Sequence, residues 1–162
     1  MRARFPTLLL LWIAAIHCDP GTTHEAALRQ VLFICEHGAA KSVIAAAYFN
    51  QLAAQRGVSV HAVARGSDPQ DEPSKLTVAG LRADGLVPAP TKPKPITASD
   101  VRGSLEVVAF DCQEPVMKPL SAIGVCWNDV PPIATGYDAV RDRIRTRVAL
   151  LLDQIVNRGA KQ

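Results

Sequence analysis

Cys35 stands at the end of a short apolar run, Val31-Leu32-Phe33-Ile34, and five residues separate it from a cation and a hydroxyl, Lys41 and Ser42. The intervening Glu36, His37, Gly38, Ala39 and Ala40 are mostly small. An alanine-rich apolar stretch from Val43 to Gln55 follows at helical length. Strand, tight loop and helix in this order put a sulfur nucleophile at the positive end of a helix, ringed by backbone N–H groups. A cysteine thiol is mostly protonated at neutral pH. The ring of amides, Lys41 and the Ser42 hydroxyl all favour the thiolate, which is the nucleophilic form. The same amides suit three oxygens of a tetrahedral oxyanion, with the fourth facing outward as leaving group. Gly38, Ala39 and Ala40 let the backbone curl closely around that anion. The chemistry expected is attack of Cys35 on phosphorus followed by hydrolysis of the thiophosphate ester. Asp129 is the acid expected to protonate the leaving oxygen and then to activate water.

The elements that position these residues alternate. Strands are expected over about Gln30 to Cys35, Val58 to Ala64, Leu105 to Phe110 and Ile123 to Trp127. Helices are expected over about Ser42 to Arg56, Pro73 to Asp84 and Tyr137 to Asn157, with a short helix starting near Asp100 and capped by Thr97 or Ser99. Val140, Ile144, Val148, Leu151 and Ile155 keep helical spacing and make one buried face of the last helix. The pattern predicts an α/β domain, a three-layer α/β/α sandwich on a four-stranded parallel sheet. Sites in such sheets lie at the carboxyl ends of the strands. Cys35, Gly66, Cys112 and Asp129 each follow a strand, so they are expected on one rim. The proline-rich stretch from Val87 to Pro95 reads as a connector.

Cys35, five residues, Lys41 and Ser42 resemble the loop of the low-molecular-weight protein tyrosine phosphatase superfamily, which includes the thioredoxin-coupled arsenate reductases. The resemblance extends, in order, to Ala64-Arg65-Gly66-Ser67, to Pro73, Ala79, Leu81 and Gly85, to Val107–Asp111, and to Trp127-Asn128-Asp129-Val130-Pro131-Pro132. It covers roughly residues 30 to 157. It implies the fold of that superfamily and hydrolysis of a phosphate monoester, such as phosphotyrosine, with no cofactor. The chain departs from the family's pattern at Gly38, which replaces its usual loop asparagine, and at two positions that bear on catalysis. The loop cation is Lys41 where the family has arginine, so a point charge replaces a two-pronged donor. Pro131 occupies the place of the family's aspartate, and Asp129 is shifted from it. A second reading is arsenate reduction. The resemblance puts a redox cysteine at Cys112, but no thiol follows a few residues later, which leaves Cys126 as a remote substitute. A third reading is a catalytically weak oxyanion-binding or regulatory module.

Composition sets bounds on these readings. A chain of 162 residues, 48% hydrophobic and 20% charged, has the length and make-up of one globular domain. Its net charge of +3 is too small to imply nucleic acid. Arg141, Arg143, Arg145 and Arg147 read as a solvated basic face of the last helix. The ending of a Walker loop is mimicked by Lys41-Ser42, but Phe33 and Ala40 stand where glycines are required. No Cys/His spacing suits a metal, and no metal site is expected. Arg2 and Arg4 followed by Leu8–Ile16 and Asp19-Pro20-Gly21 read as a secretory leader over residues 1–27, with the phosphatase-like domain from 28 to 162. Export to the periplasm is therefore expected, with a membrane contact only through an uncleaved or lipidated leader. A misassigned start codon would leave the protein cytoplasmic. If it is exported, Cys112 and Cys126 are free to pair; in the cytosol they stay reduced. The partners expected are a phosphorylated small molecule or phosphoprotein, or a free phosphate or arsenate oxyanion.

Overall fold

The computed structural model describes residues 29–160, so the expected leader lies outside the described residues. Four strands, β1 (Arg29–Cys35), β2 (Val60–Gly66), β3 (Ser104–Phe110) and β4 (Val125–Trp127), form one parallel sheet in the order β2-β1-β3-β4. Parallel neighbours need crossovers: α1 (Lys41–Gln55) lies between β1 and β2, α2 (Lys75–Ala83) and α3 (Ala98–Arg102) lie between β2 and β3, and α4 (Tyr137–Gly159) follows the last strand. Single 3-10 turns occupy Lys118–Ala122 and Ile133–Thr135. The α/β class and the four-stranded parallel sheet expected from the sequence are both present.

β1 is buried on both faces, and its side chains alternate between two cores. Val31, Phe33 and Cys35 face the larger one, which is shared with Val43, Ile44 and Phe49 of α1 and with Val140, Ile144 and Val148 of α4. Leu32 and Ile34 face a smaller one with Val107, Ala109, Cys112 and Met117. The two helical layers are therefore unequal. α1 and α4 cover one face, with α2 packed on them, while α3 and the 3-10 turn at Lys118–Ala122 contribute to the other.

Chain direction across the sheet fixes where a ligand can sit. From β1 the chain moves outward to β2, then returns past β1 to β3. The crossovers therefore leave in opposite directions between β1 and β3, and a crevice opens at the carboxyl ends of those two strands. Cys35 ends β1 and Asp111 follows β3. Four aromatic rings pack in the larger core: Phe33 meets Phe49, Phe110 and Trp127, with the Phe33 and Trp127 centroids 5.6 Å apart. Trp127 closes the stack edge-on to Phe110. This array fixes the ends of β1, β3 and β4 relative to one another.

Candidate functional site

The loop between β1 and α1 is shaped by what its carbonyls do. The Cys35 oxygen accepts from the amide of Ser67, that of Glu36 from Asp68, that of His37 from Gln70, and that of Ala39 from Ser74. Four bonds thus tie the loop to the segment after β2. Among the described residues, the amides of His37, Ala39, Ala40, Lys41 and Ser42 meet no protein acceptor. Two of them open α1, whose first-turn amides lack intrahelical partners by geometry. Unpaired amides clustered on one loop beside a cleft make a place suited to an anion.

Glycine is required at the contact between the two segments. Gly38 has φ of +59°, and a Cβ there would lie 2.8 Å from the Gly66 nitrogen. A Cβ on Gly66 would lie 2.8 Å from the Gly38 nitrogen and 2.9 Å from the His37 carbonyl carbon. Gly66 is itself fixed on its far side, its amide donating to Lys94 and its carbonyl accepting from Ile96.

The Cys35 sulfur lies 3.1 Å from the Ser42 hydroxyl, and the residue is 7% exposed. Cys35 lines a cleft of about 770 Å³ whose walls include Glu36, His37, Gln70, Asp111, Asp129 and Pro131, and Ser42 is fully buried behind it. The cleft therefore gathers residues from after β1, β2, β3 and β4. His37 is turned toward the rim, its Nδ1 3.3 Å from the Asp68 carbonyl, and Glu36 lies 3.9 Å from its other ring nitrogen.

Lys41 does not reach over the loop. Its ammonium is buried and donates to both carboxylate oxygens of Asp111, at 2.8 and 2.7 Å, and to the Val130 carbonyl at 2.8 Å. An ammonium has three N–H bonds, so all are committed. The sequence expectation gave Lys41 to the oxyanion; its geometry makes it a tie from the loop to β3 and to the loop after β4. Asp111 accepts this role with φ of +56°, an unfavourable backbone for a residue with a side chain. Sequence reading had treated Asp111 only as the end of a strand, since its partner is 70 positions away.

Asp129 stands in the cleft wall, as its place after β4 implied, but it is not alone. Arg147 of α4 makes an ion pair with it at 2.6 Å, and Arg143 lies 3.7 Å away. The Arg147 hydrogen bond holds the Asp129 carboxyl below the usual carboxylate range, against a smaller opposing effect of burial. Arg147 in turn stacks over Trp127, its guanidinium carbon 5.6 Å from the ring centroid. Arg143 and Arg147 are four positions apart and share a helix face, so this part of the basic face expected to be solvated closes on Asp129 instead.

Cys112 and Cys126 are joined by a disulfide. It lies with the smaller core, on the sheet face opposite Cys35, so neither sulfur converges with the Cys35 loop. No cluster of metal-ligating side chains occurs among the described residues.

No protein-family model and no curated protein matches the chain. Solved structures do. YfkJ from Bacillus subtilis superposes with a TM-score of 0.72 at 20% identity, over 83% of this chain and 98% of its own. A low-molecular-weight protein tyrosine phosphatase from T. tengcongensis gives 0.62 at 19% identity, over 78% of this chain and 99% of that one. The thioredoxin-dependent arsenate reductase of Corynebacterium glutamicum gives 0.65 at 27% identity, over 81% of this chain and 63% of its own. The strand order and these likenesses show that the chain has the fold shared by low-molecular-weight protein tyrosine phosphatases and thioredoxin-dependent arsenate reductases.

Proposed function

We propose that this protein hydrolyses phosphate monoesters through a cysteinyl-phosphate. The observation that carries the reading is the run of loop amides after Cys35 that meet no protein acceptor, on the loop that lines the cleft together with Cys35. Three phosphoryl oxygens bond the amides. The Cys35 thiolate attacks phosphorus, an S–P bond forms, and the P–O bond to the leaving group breaks. Water then attacks phosphorus, the S–P bond breaks, and inorganic phosphate leaves with the thiolate restored. The Ser42 hydroxyl, 3.1 Å away, stabilises that thiolate.

The state of Asp129 bears on the leaving group. Held ionised by Arg147, it is suited to taking a proton from water in the second step and poorly suited to giving one in the first. Weak proton donation favours a leaving oxygen that needs little help, which is an aryl rather than an alkyl oxygen. The substrate class is therefore an aryl phosphate such as phosphotyrosine, on a small molecule or a protein. Arsenate reduction loses support, because the two further thiols are bonded to each other across the sheet from Cys35.

One observation favours a second reading, a catalytically weak oxyanion-binding module. Lys41 has no N–H left for the transition state. Turnover of p-nitrophenyl phosphate by the wild type, Cys35→Ser and Lys41→Arg separates the two. A phosphatase turns over and loses at least a hundredfold with serine. A binding module shows no turnover, yet phosphate raises its Tm. Neither turnover nor a Tm shift refutes both.

The disulfide supports export, since such bonds persist in oxidising compartments. Mass spectrometry of the mature N-terminus tests it; an intact Met1 in the cytoplasm contradicts export.

A further inference from the structure

Two short segments meet beside the Cys35 loop and are bonded to each other repeatedly. The Asp111 amide donates to the Trp127 carbonyl at 3.4 Å, and the Cys112 amide donates to the Asn128 side-chain oxygen at 2.8 Å. The Cys112–Cys126 disulfide closes the same junction covalently. Lys41 draws its acceptors from both sides of it, the carboxylate of Asp111 from one and the carbonyl of Val130 from the other. β4 is an edge strand three residues long, paired with β3 alone. So short a strand holds the 127–133 wall of the cleft weakly without help.

We propose that the Cys112–Cys126 disulfide is a redox-sensitive positioning device. Closed, it holds Asp111 and Val130 where Lys41 needs them and so fixes one wall of the cleft. Opened, it frees the segment after β4, and Lys41 loses the Val130 carbonyl. This goes beyond the hydrolytic reading and does not depend on turnover.

The reductant is a dithiol. Cys112 is 5% exposed and sits in the smaller core, whereas Cys126 is only half-buried, so the attack falls on the Cys126 sulfur. A donor thiolate bonds that sulfur, the S–S bond breaks, and Cys112 leaves as a thiolate. The donor's second thiol then displaces Cys126 and closes the donor's own disulfide. Two electrons pass from donor to protein, and two protons end on Cys112 and Cys126.

Lys41 itself reports the outcome. A buried ammonium with every N–H committed resists acylation, whereas Lys75, Lys92 and Lys94 are exposed. Three samples of the full chain are labelled with an N-hydroxysuccinimide acetate and mapped by peptide mass spectrometry: the oxidised protein, the protein reduced with a dithiol and desalted without oxygen, and Cys112→Ser/Cys126→Ser. We expect Lys41 to label at least tenfold faster in the two open forms. The three exposed lysines should not change, and amide exchange over Val31–Ile34 should stay slow. Equal Lys41 labelling in open and closed forms overturns the proposal. So does a rise accompanied by fast exchange in β1, which would mean general unfolding rather than loss of position. Should the double variant fail to fold, graded reduction of the wild type decides the matter, since Lys41 labelling must track the fraction of open disulfide. Phosphate affinity, measured on the same samples, should fall at least fivefold on opening. Binding in neither state would count against the proposed function, while the labelling still decides the present proposal.

Discussion

Replacing Gly66 by alanine puts one methyl group against the back of the anion loop. Its ideal position is 2.8 Å from the Gly38 nitrogen, 2.9 Å from the His37 carbonyl carbon and 3.0 Å from the Glu36 oxygen. All three are backbone atoms, so no side-chain rotation relieves the contact. Gly66 cannot retreat, because its amide and carbonyl are bonded to Lys94 and Ile96. Ordinary contact begins at 3.4 Å, so the loop must move by about 3.4 − 2.8 = 0.6 Å. Overpacking of this kind costs about 1–3 kcal/mol, and Tm should fall by several degrees. The larger effect falls on the site. Reactions lose on the order of a hundredfold per 1 Å of misplacement, so a shift of this size should weaken phosphate binding or turnover about tenfold. Gly57→Ala is the control. It has φ of +64° but nothing within 4 Å, so it costs about 1–2 kcal/mol of backbone strain and touches no part of the loop. Phosphate affinity by calorimetry and Tm by circular dichroism are read on both variants. Similar losses of Tm with a tenfold loss of affinity in Gly66→Ala alone is the expected result. Wild-type affinity in Gly66→Ala would refute the claim that this contact shapes the loop.

Further outcomes follow from the same contacts. Asp111→Asn keeps a residue that tolerates positive φ but removes the charge facing Lys41; because Asp111 is a third exposed, the loss in denaturant-unfolding stability should be about 1–2 kcal/mol rather than the full cost of breaking a buried pair. Asp84 accepts from the hydroxyls of Tyr48 and Tyr137, at 2.5 and 2.7 Å, and these bonds hold its carboxyl below the usual range. Its stabilisation is thus present above the unfolded carboxyl value and lost as pH falls through the folded one, so Tyr48→Phe/Tyr137→Phe should lose less Tm than the wild type between about pH 6 and about pH 3. Gly80→Ala should cost about 2–3 kcal/mol by chemical denaturation, since its methyl would sit 2.3 Å from the base of the Tyr137 ring, where the first turn of α4 meets α2.

What the sequence made legible was local or periodic. The loop from Cys35 to Ser42 is contiguous, the last helix repeats Val140, Ile144 and Val148 at helical spacing, and each strand is an apolar run. Element ends shifted by a few residues, as with β4, which begins at Val125 where Ile123 was expected. What stayed hidden was the pairing of distant charges. Nothing local to Lys41 says that its ammonium turns down to Asp111 and Val130 rather than up to an anion; that choice depends on how β3 and β4 end. Asp129 was placed in the cleft by its position after a strand, but its engagement by Arg147 depends on the rotation of α4 over Trp127. The spacing of Cys112 and Cys126 carries no distance, so their disulfide is not legible in the sequence.

The central claim is that Cys35 lies in a ring of amides that grips a tetrahedral oxyanion, and alkylation tests it most directly. Iodoacetamide is applied to the oxidised protein across a series of phosphate concentrations, and carboxamidomethyl-Cys35 is followed by peptide mass spectrometry. A saturable slowing of at least fivefold by phosphate, reproduced by arsenate and absent with chloride at equal ionic strength, is the predicted result. A Cys35 alkylation rate independent of phosphate up to high millimolar concentration would contradict the account.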